Sequence, residues 1–244
     1  MFRKTIPILI LSWTSGCLDA LGFLGLGRVF TANMTGNTVL CGLALAQGDW
    51  SALLRSLIAI VGFSLGVIAG TLLVESKRER QQHTWAIQII RSLIIEAWIL
   101  LIFAVGWSWP KLVIPDSPTA NLLIGLSALA MGQQSATIVS LGIPGISTTY
   151  ITGTITTLLS NISRHFSLRI QHQPIITPAV TAQTEHQRPV RLASVWITYI
   201  SAAIIGSYSE LHVPSLAAFL PFLAVAIVVI MSLRLPPQMP VQSQ

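Results

Sequence analysis

Acidic side chains stand inside two apolar segments of this 244-residue chain. Asp19 follows Ser15 by four residues, so both side chains lie on one face of a helix. Glu96 lies in the middle of another apolar run, five residues after Arg91. An acidic residue at the membrane centre costs about 2.5–3.5 kcal/mol, so its presence indicates a partner or a task such as proton exchange. We predict Asp19, Arg91 and Glu96 as intramembrane charges, with Asp19 as the proton-sensitive group and Arg28 or Arg91 as its partner.

Two short segments rich in Thr, Gly and Asn have the chemistry to bind a small solute. Helix N-termini in these segments would offer N–H donors and a partial positive charge, which suit an anion or a carbonyl-rich solute. Glycine would let the backbone approach that solute closely. The alternative is that these small residues only pack helices together. The predicted substrate-binding residues are Asp19, Thr31, Asn33, Thr35, Gly36, Asn37, Gln134, Thr148, Thr152 and Gly153.

The sequence lacks the motifs of catalysis and of metal binding. It contains no Gly-rich phosphate loop, no Gly-x-Ser-x-Gly and no His-Glu-x-x-His. His165, His172 and His186 do not have the spacing of metal ligands. We therefore predict that the protein is not an enzyme and binds no cofactor or metal.

The composition is that of a membrane protein. Hydrophobic residues make up 52% of the chain and charged residues 9%, whereas an average soluble domain carries about 25% charged residues. In so apolar a chain, the net charge of +6 indicates basic cytoplasmic loops rather than a nucleic-acid-binding site. We predict an all-α protein in which residues 1–244 form a single membrane domain. Its partners would be the lipid bilayer and an unknown small solute, and a homo-oligomer is left open.

Crossing a bilayer takes about 20 apolar residues in a helix. Six stretches have this length: Ile6–Leu26, Leu53–Val74, Trp85–Val105, Ala120–Leu141, Leu192–Ser209 and Val213–Leu233. Two more, Thr35–Gln47 and Thr149–Ser160, would extend only about 18–20 Å as helices, which is enough for half a bilayer and not for a whole one. Each follows a stretch suited to extended chain, so we predict re-entrant or half-length helices.

The distribution of basic residues favours six spans with both termini in the cytoplasm of a bacterial cell. With both short segments re-entrant, only Arg28, Arg55 and Lys111 lie outside. The alternative, eight helices in a 4+4 parallel repeat, moves the compact basic loop at residues 75–80 outside, which is unfavourable. The cytoplasmic residues would be Arg3, Lys4, Lys77, Arg78, Arg80, Arg164, Arg169, Arg188, Arg191 and Arg234, with a polar cytoplasmic linker at residues 171–189.

The two halves of the chain, residues 1–115 and 116–235, are weakly similar to each other. Because each half has three spans, the second would enter the membrane from the opposite side, giving a 3+3 inverted repeat. Many transporters build a midplane solute site in this way, with discontinuous helices. The matches are Leu24-Gly25 with Leu141-Gly142, Thr31 with Thr148 and Thr35-Gly36 with Thr152-Gly153, offset by 117, then Arg55 with Arg191 and Gly70 with Gly206, offset by 136.

Two signatures resemble a known family. They are Asp19-Ala20-Leu21-Gly22-Phe23 and Met34-Thr35-Gly36-Asn37, followed by Ala46-Gln47-Gly48-Asp49-Trp50. Together they resemble the YoaK-like family of small bacterial membrane proteins, and the resemblance covers nearly the whole chain. It implies a multi-pass protein of the bacterial cell membrane with six spans, and it implies no substrate.

These patterns predict a small-solute transporter or channel. Asp19 is the residue through which solute movement could be coupled to protons. The competing hypothesis is a non-transporting membrane subunit or scaffold that binds a partner protein or a lipid.

Overall fold

The computed structural model describes residues 2–75, 82–109, 114–140 and 179–234, together with single positions between 156 and 163. These residues form helices, turns and loops, and none of them lies in a strand. The all-α class predicted from the sequence is therefore confirmed. The helices are α1 (Phe2–Gly25), α2 (Met34–Gln47), α3 (Trp50–Glu75), α4 (Gln82–Trp107), α5 (Pro118–Ser140), α6 (Ala179–His212), α7 (Pro214–Ala217) and α8 (Phe219–Arg234).

Six segments of the described residues are long and apolar enough to cross a membrane. Each overlaps a predicted span, and the boundaries agree within one helical turn. A helix is suited to the interior of a lipid bilayer because it satisfies its backbone polar groups internally. The segments are Thr5–Gly25, Trp50–Val74, Ile87–Trp107, Pro118–Ser140, Leu192–His212 and Pro214–Arg234, the last combining α7 and α8.

A two-residue turn joins the short helix α2, which has 14 residues, to α3. Gly48 adopts the left-handed conformation with φ of 70° and caps the end of α2. Asp49 then accepts a hydrogen bond from the amide of Ala52 at 2.9 Å and caps the start of α3. This pair of residues therefore lets α3 begin directly where α2 ends.

The C-termini of α1, α4 and α6 lie together at one end of the bundle. A Cβ atom built on Gly25, the last residue of α1, would meet the ring of Trp107 and the carboxylate of Glu210. The indole of Trp107 also donates a hydrogen bond to the carbonyl of Pro214 at 3.0 Å, which brings the start of α7 to the same place.

The N-termini of α3 and α5 lie at this end as well. Arg55, in the second turn of α3, forms an ion pair with Asp116, two residues before α5. Its guanidinium also lies against Gly27, just after α1. Every spanning segment therefore has one terminus at this end, called the Arg55 end below, and successive spans run in alternating directions.

Helices α1 and α5 form the centre of the bundle. In their spanning segments 61% and 67% of the residues are buried, against 22–33% in the other four. The most extensive contacts are those of α3 with α5 and of α1 with α6. Glycine permits the first of these, because a Cβ on Gly66 would collide with the carbonyl of Leu129, and one on Gly132 with that of Phe63.

The second half of the chain is described in part. Helix α6 begins at Ala179, within the predicted polar linker at residues 171–189. The second short segment, predicted at 149–160, lies outside the described residues except for positions 156, 159 and 160.

The contact between α3 and α5 leads to a test. Gly66→Ala should lower the free energy of unfolding by about 1–3 kcal/mol, because an added methyl group meets fixed backbone. Gly42→Ala is the matched control, since in the described part of the chain no atom beyond its own helix backbone and chain neighbours lies within 4 Å of the added methyl group. Alanine also favours a helix interior by about 0.5–1 kcal/mol, so this variant should be neutral or slightly stabilised. Thermal unfolding of the detergent-purified proteins measures both effects. Equal unfolding midpoints for Gly66→Ala and Gly42→Ala would contradict close packing of α3 on α5.

Candidate functional site

The carboxylate of Asp19 is buried and bound to the backbone that precedes α2. Its Oδ1 atom accepts hydrogen bonds from the amides of Thr31 at 2.8 Å, Ala32 at 2.7 Å and Asn33 at 3.3 Å. Hydrogen bonds to an ionised acceptor are about twice as strong as neutral ones. One carboxylate oxygen therefore gathers three consecutive amides and fixes where the chain turns back towards α2.

The other oxygen of Asp19 is bound by α6. The hydroxyl of Tyr199 donates a hydrogen bond to Oδ2. Among the described residues Asp19 has no ion pair, and Arg28 and Arg91, its partners expected from the sequence, are both exposed. That expectation was wrong, because amide and hydroxyl donors already surround the carboxylate.

Sequence reasoning did not identify Tyr199. A tyrosine inside an apolar span was the available signal, since a buried hydroxyl usually finds a partner.

The signature around Met34-Thr35-Gly36-Asn37 locks the loop to α2. The Asn37 side chain is fully buried, accepts a hydrogen bond from the Phe30 amide at 2.9 Å and donates one to the Phe30 carbonyl at 2.7 Å. Asn33 caps α2 by accepting a hydrogen bond from the Gly36 amide at 3.1 Å. A Cβ on Gly36 would lie 2.7 Å from the ring of Phe30. The motif thus holds its own loop in place, as Asp19 does from α1.

The two threonines predicted in the first site have different surroundings. Thr31 is fully buried, and its hydroxyl has no hydrogen-bond partner among the described residues. Thr35 is exposed on the surface of α2. Of these two hydroxyls, only that of Thr31 lies in the interior beside Asp19.

A polar belt crosses the bundle beside these groups. It consists of Ser15 on α1, Gln134 and Gln133 on α5, and Ser92 and Thr137 where α4 meets α5. Gln134 donates hydrogen bonds to Ser15 Oγ and to the Leu11 carbonyl, each at 3.0 Å. The preceding residue, Gln133, donates to the carbonyl of Ser92 at 2.7 Å. The Ser92 and Thr137 hydroxyls are hydrogen-bonded at 2.7 Å. Adjacent glutamines on α5 therefore link α1 to α4 through the core.

Glu96 lies one helical turn after the Ser92 end of this belt. It is fully buried, and neither of its carboxyl oxygens has a hydrogen-bond partner among the described residues. Arg91 is exposed on another face of α4, as expected for a basic side chain that reaches towards water.

The remaining predicted site residues cannot be located. Thr148, Thr152 and Gly153 lie outside the described residues. Within the described part, no group of three or more His, Cys, Asp or Glu side chains is arranged to hold a metal ion.

Comparison with known proteins gives two matches. The family described as "Protein of unknown function (DUF1275)" matches residues 8–231. The chain is also 37% identical over 179 residues to the UPF0700 transmembrane protein YoaK of Bacillus subtilis (strain 168), covering 73% of this chain and 76% of that protein. No solved structure matches.

The environment of Asp19 predicts a graded series of stabilities. Asp19→Ala leaves three amides and the Tyr199 hydroxyl without their acceptor, at about 1–3 kcal/mol for each unsatisfied group. Asp19→Asn keeps one carbonyl oxygen as the acceptor for the amides and should lose less stability than Asp19→Ala. Tyr199→Phe removes one bond to a charged group and should cost about 1.5–3 kcal/mol.

Thermal unfolding in detergent gives the order, with wild type highest and Asp19→Ala lowest. The double variant Asp19→Ala/Tyr199→Phe should lose less than the sum of the single losses, because both remove one interaction. Strictly additive losses would show that the two side chains do not interact.

Proposed function

The chain belongs to the DUF1275 family of unknown function, and from its architecture we propose that it is a transporter of a small solute in the bacterial cell membrane. One observation carries the proposal. The contacts among the spans keep the same pattern when the two halves of the chain are exchanged. Transporters with inverted repeats place a solute site between such halves, near the middle of the bilayer.

The pairs of packed helices support a 3+3 repeat. Exchange of α1 with α5, α3 with α6, and α4 with the combined α7 and α8 turns each of the main contacts among the spans into an observed contact, with α1–α5 and α4–α8 mapping onto themselves. The α1–α6 contact becomes α5–α3, and the α4–α5 contact becomes one between α8 and α1. The α3–α4 contact becomes the one between α6 and α7.

Glycines at the helix crossings support the same exchange. A Cβ on Gly16 of α1 would lie 2.5 Å from the carbonyl oxygen of Tyr199 on α6. The corresponding crossing of α5 with α3 has Gly132 against the carbonyl of Phe63. Gly132 follows Gly16 by 116 residues, and Tyr199 follows Phe63 by 136.

A second pair of contacts at these crossings has the same two offsets. A Cβ on Gly206 of α6 would lie 3.1 Å from the carbonyl oxygen of Cys17, and one on Gly70 of α3 would lie 2.9 Å from that of Gln133. Because successive spans alternate in direction, α1 and α5 run oppositely. The repeat that we propose is therefore inverted, with six spans rather than eight.

The position of α2 supports a re-entrant segment. Its N-terminus is bound by Asp19, inside the α1 span, whereas α3 begins near the Arg55 end. We propose that the chain enters from this end, reaches the depth of Asp19 and returns through α2. The basic residues of the other loops favour an orientation with the Arg55 end outside and both termini in the cytoplasm, which is the orientation that we propose.

The proposed solute site lies beside Asp19 and the start of α2. Of the residues predicted from the sequence, the buried Thr31 hydroxyl is the group beside Asp19 that has no described partner and could bind the solute. The Asp19 carboxylate already neutralises the positive end of α2, so we propose a neutral or cationic solute in place of an anion.

Accessibility of single cysteines tests the topology, in a background with Cys17→Ala and Cys41→Ala. Gln47→Cys at the end of α2 and Ile114→Cys at the Arg55 end should react with a membrane-impermeant thiol reagent on intact cells. Both native side chains are exposed. Arg234→Cys is the control and should react only after permeabilisation. If Gln47→Cys and Ile114→Cys also require permeabilisation, the eight-span arrangement is favoured.

Solute flux into proteoliposomes tests the transport function. A panel of zwitterionic amino acids, amines, sugars and carboxylates is offered outside, with a pH-sensitive dye inside. At least one neutral or cationic solute should enter faster than into protein-free vesicles. Flux for none of them would favour the non-transporting subunit or scaffold.

Thr31→Val provides the matched test of the site. Stability should be unchanged, because the Thr31 hydroxyl has no described partner to lose. Apparent solute affinity should fall about 3–10-fold if that hydroxyl binds the solute, as for loss of one hydrogen bond. The control is Thr38→Val on the exposed face of α2, which should leave affinity unchanged. Equal affinities in both variants would remove Thr31 from the site.

A further inference from the structure

The two buried carboxyl groups differ in what they contact. Asp19 receives four hydrogen bonds. Glu96 is equally enclosed and receives none from the described residues. The four donors stabilise the ionised form of Asp19, whereas no described donor stabilises an ionised Glu96. The group suited to bind a proton is therefore Glu96 rather than Asp19.

The helices packed against α4 offer no charge at the depth of Glu96. Glu96 lies between two α4–α5 contacts, Ser92 with Thr137 and Gly106 with Leu123, and α5 contains no titratable residue.

Charges on the other neighbouring helices lie at helix ends. Arg55, near the start of α3, is paired with Asp116. Glu75 is the last residue of α3, and Arg234 is the last residue of α8, while α7 has no charged residue. On α4 itself, His83 is near the N-terminus and Arg91 is exposed. No described cation therefore faces the Glu96 carboxyl.

A proton satisfies this environment better than a metal ion does. An unpaired charge in an apolar interior is very costly, and a carboxyl in that position becomes neutral instead. A bound cation needs several oxygen ligands. On α5 between those two contacts, the Ser127 hydroxyl donates to its own helix and the Gln133 amide is engaged by Ser92.

The Ser92 end of the polar belt lies close to Glu96 along α4. The Ser92 hydroxyl lies one turn from Glu96 and is hydrogen-bonded to Thr137 in an arrangement where either can donate. Because Ser92, Thr137 and Glu96 are all buried, release of the proton to water, which leaves a carboxylate and a hydronium ion, requires a second conformation in which water reaches Glu96.

We infer that Glu96 is the proton-binding group of this protein and that it holds its proton in the conformation described. Its role in coupling proton movement to solute movement rests on the proposed transport function. Asp19 instead positions the start of α2.

Infrared spectroscopy of the full-length protein in liposomes tests the bound proton directly. At neutral pH the wild type should show a carboxylic-acid carbonyl band that shifts on transfer to D₂O. The variants are compared in a Glu210→Gln background, because Glu210 also has a buried oxygen without a described partner. Glu96→Gln should fold with unchanged thermal stability and lose the band, whereas Asp19→Asn should keep it. The assignment is overturned if the wild type lacks the band or if Glu96→Gln retains it. A band that never shifts in D₂O would mean a proton that does not exchange, which overturns the role in proton binding.

Flux measurements separate this inference from the proposed function. With one coupled proton, a pH difference of about one unit should sustain about a tenfold gradient of a transported solute. Glu96→Gln should abolish that accumulation while retaining exchange of labelled for unlabelled solute. If the variant still accumulates solute, the Glu96 assignment fails and transport stands. If no panel solute moves in the wild type while the band depends on Glu96, transport fails and the proton site stands.

Discussion

A single carboxylate on α1 determines where the short helix α2 begins. Buried backbone amides must find partners, and the turn before α2 presents three of them in succession. Asp19 satisfies all three with one oxygen and reaches α6 through the other. The loop, α2 and the α1–α6 contact therefore depend on one buried group. The cost of placing an acidic residue in the core is offset by the bonds that the residue receives.

Close contact between helices is the second constraint. Within lipid, association rests on packing and hydrogen bonds because the surrounding tails are as apolar as the side chains. Glycines at two helix crossings, α1 with α6 and α3 with α5, bring a backbone carbonyl of the neighbouring helix to a distance at which a Cβ would be crowded. These crossings involve α1 and α5, the two most buried helices. The same contacts that hold the bundle together also carry the proposed relation between its halves.

The polar residues of the core form two groups, those with described hydrogen-bond partners and those without. The asparagines and glutamines of the site all bind backbone or hydroxyl groups, so they fix geometry. The Thr31 hydroxyl and the Glu96 carboxyl combine deep burial with a lack of described partners, as does the Ser12 hydroxyl on α1. Thr31 lies beside α2 and Glu96 beside the α4 end of the polar belt. Thr31 and Glu96 are where a solute and a proton are proposed to bind.

Hydropathy alone determined the six spans and the short helix, because crossing lipid requires about 20 apolar residues in a helix. The burial of Asp19 also followed from the sequence, since lipid disfavours a charge. Its partners did not, because Thr31–Asn33 and Tyr199 come close only when the chain turns back and α6 packs on α1. Likewise, only the packing of α4 distinguished Glu96 from Asp19. Sequence shows which groups must be buried, and tertiary structure decides which donors meet them.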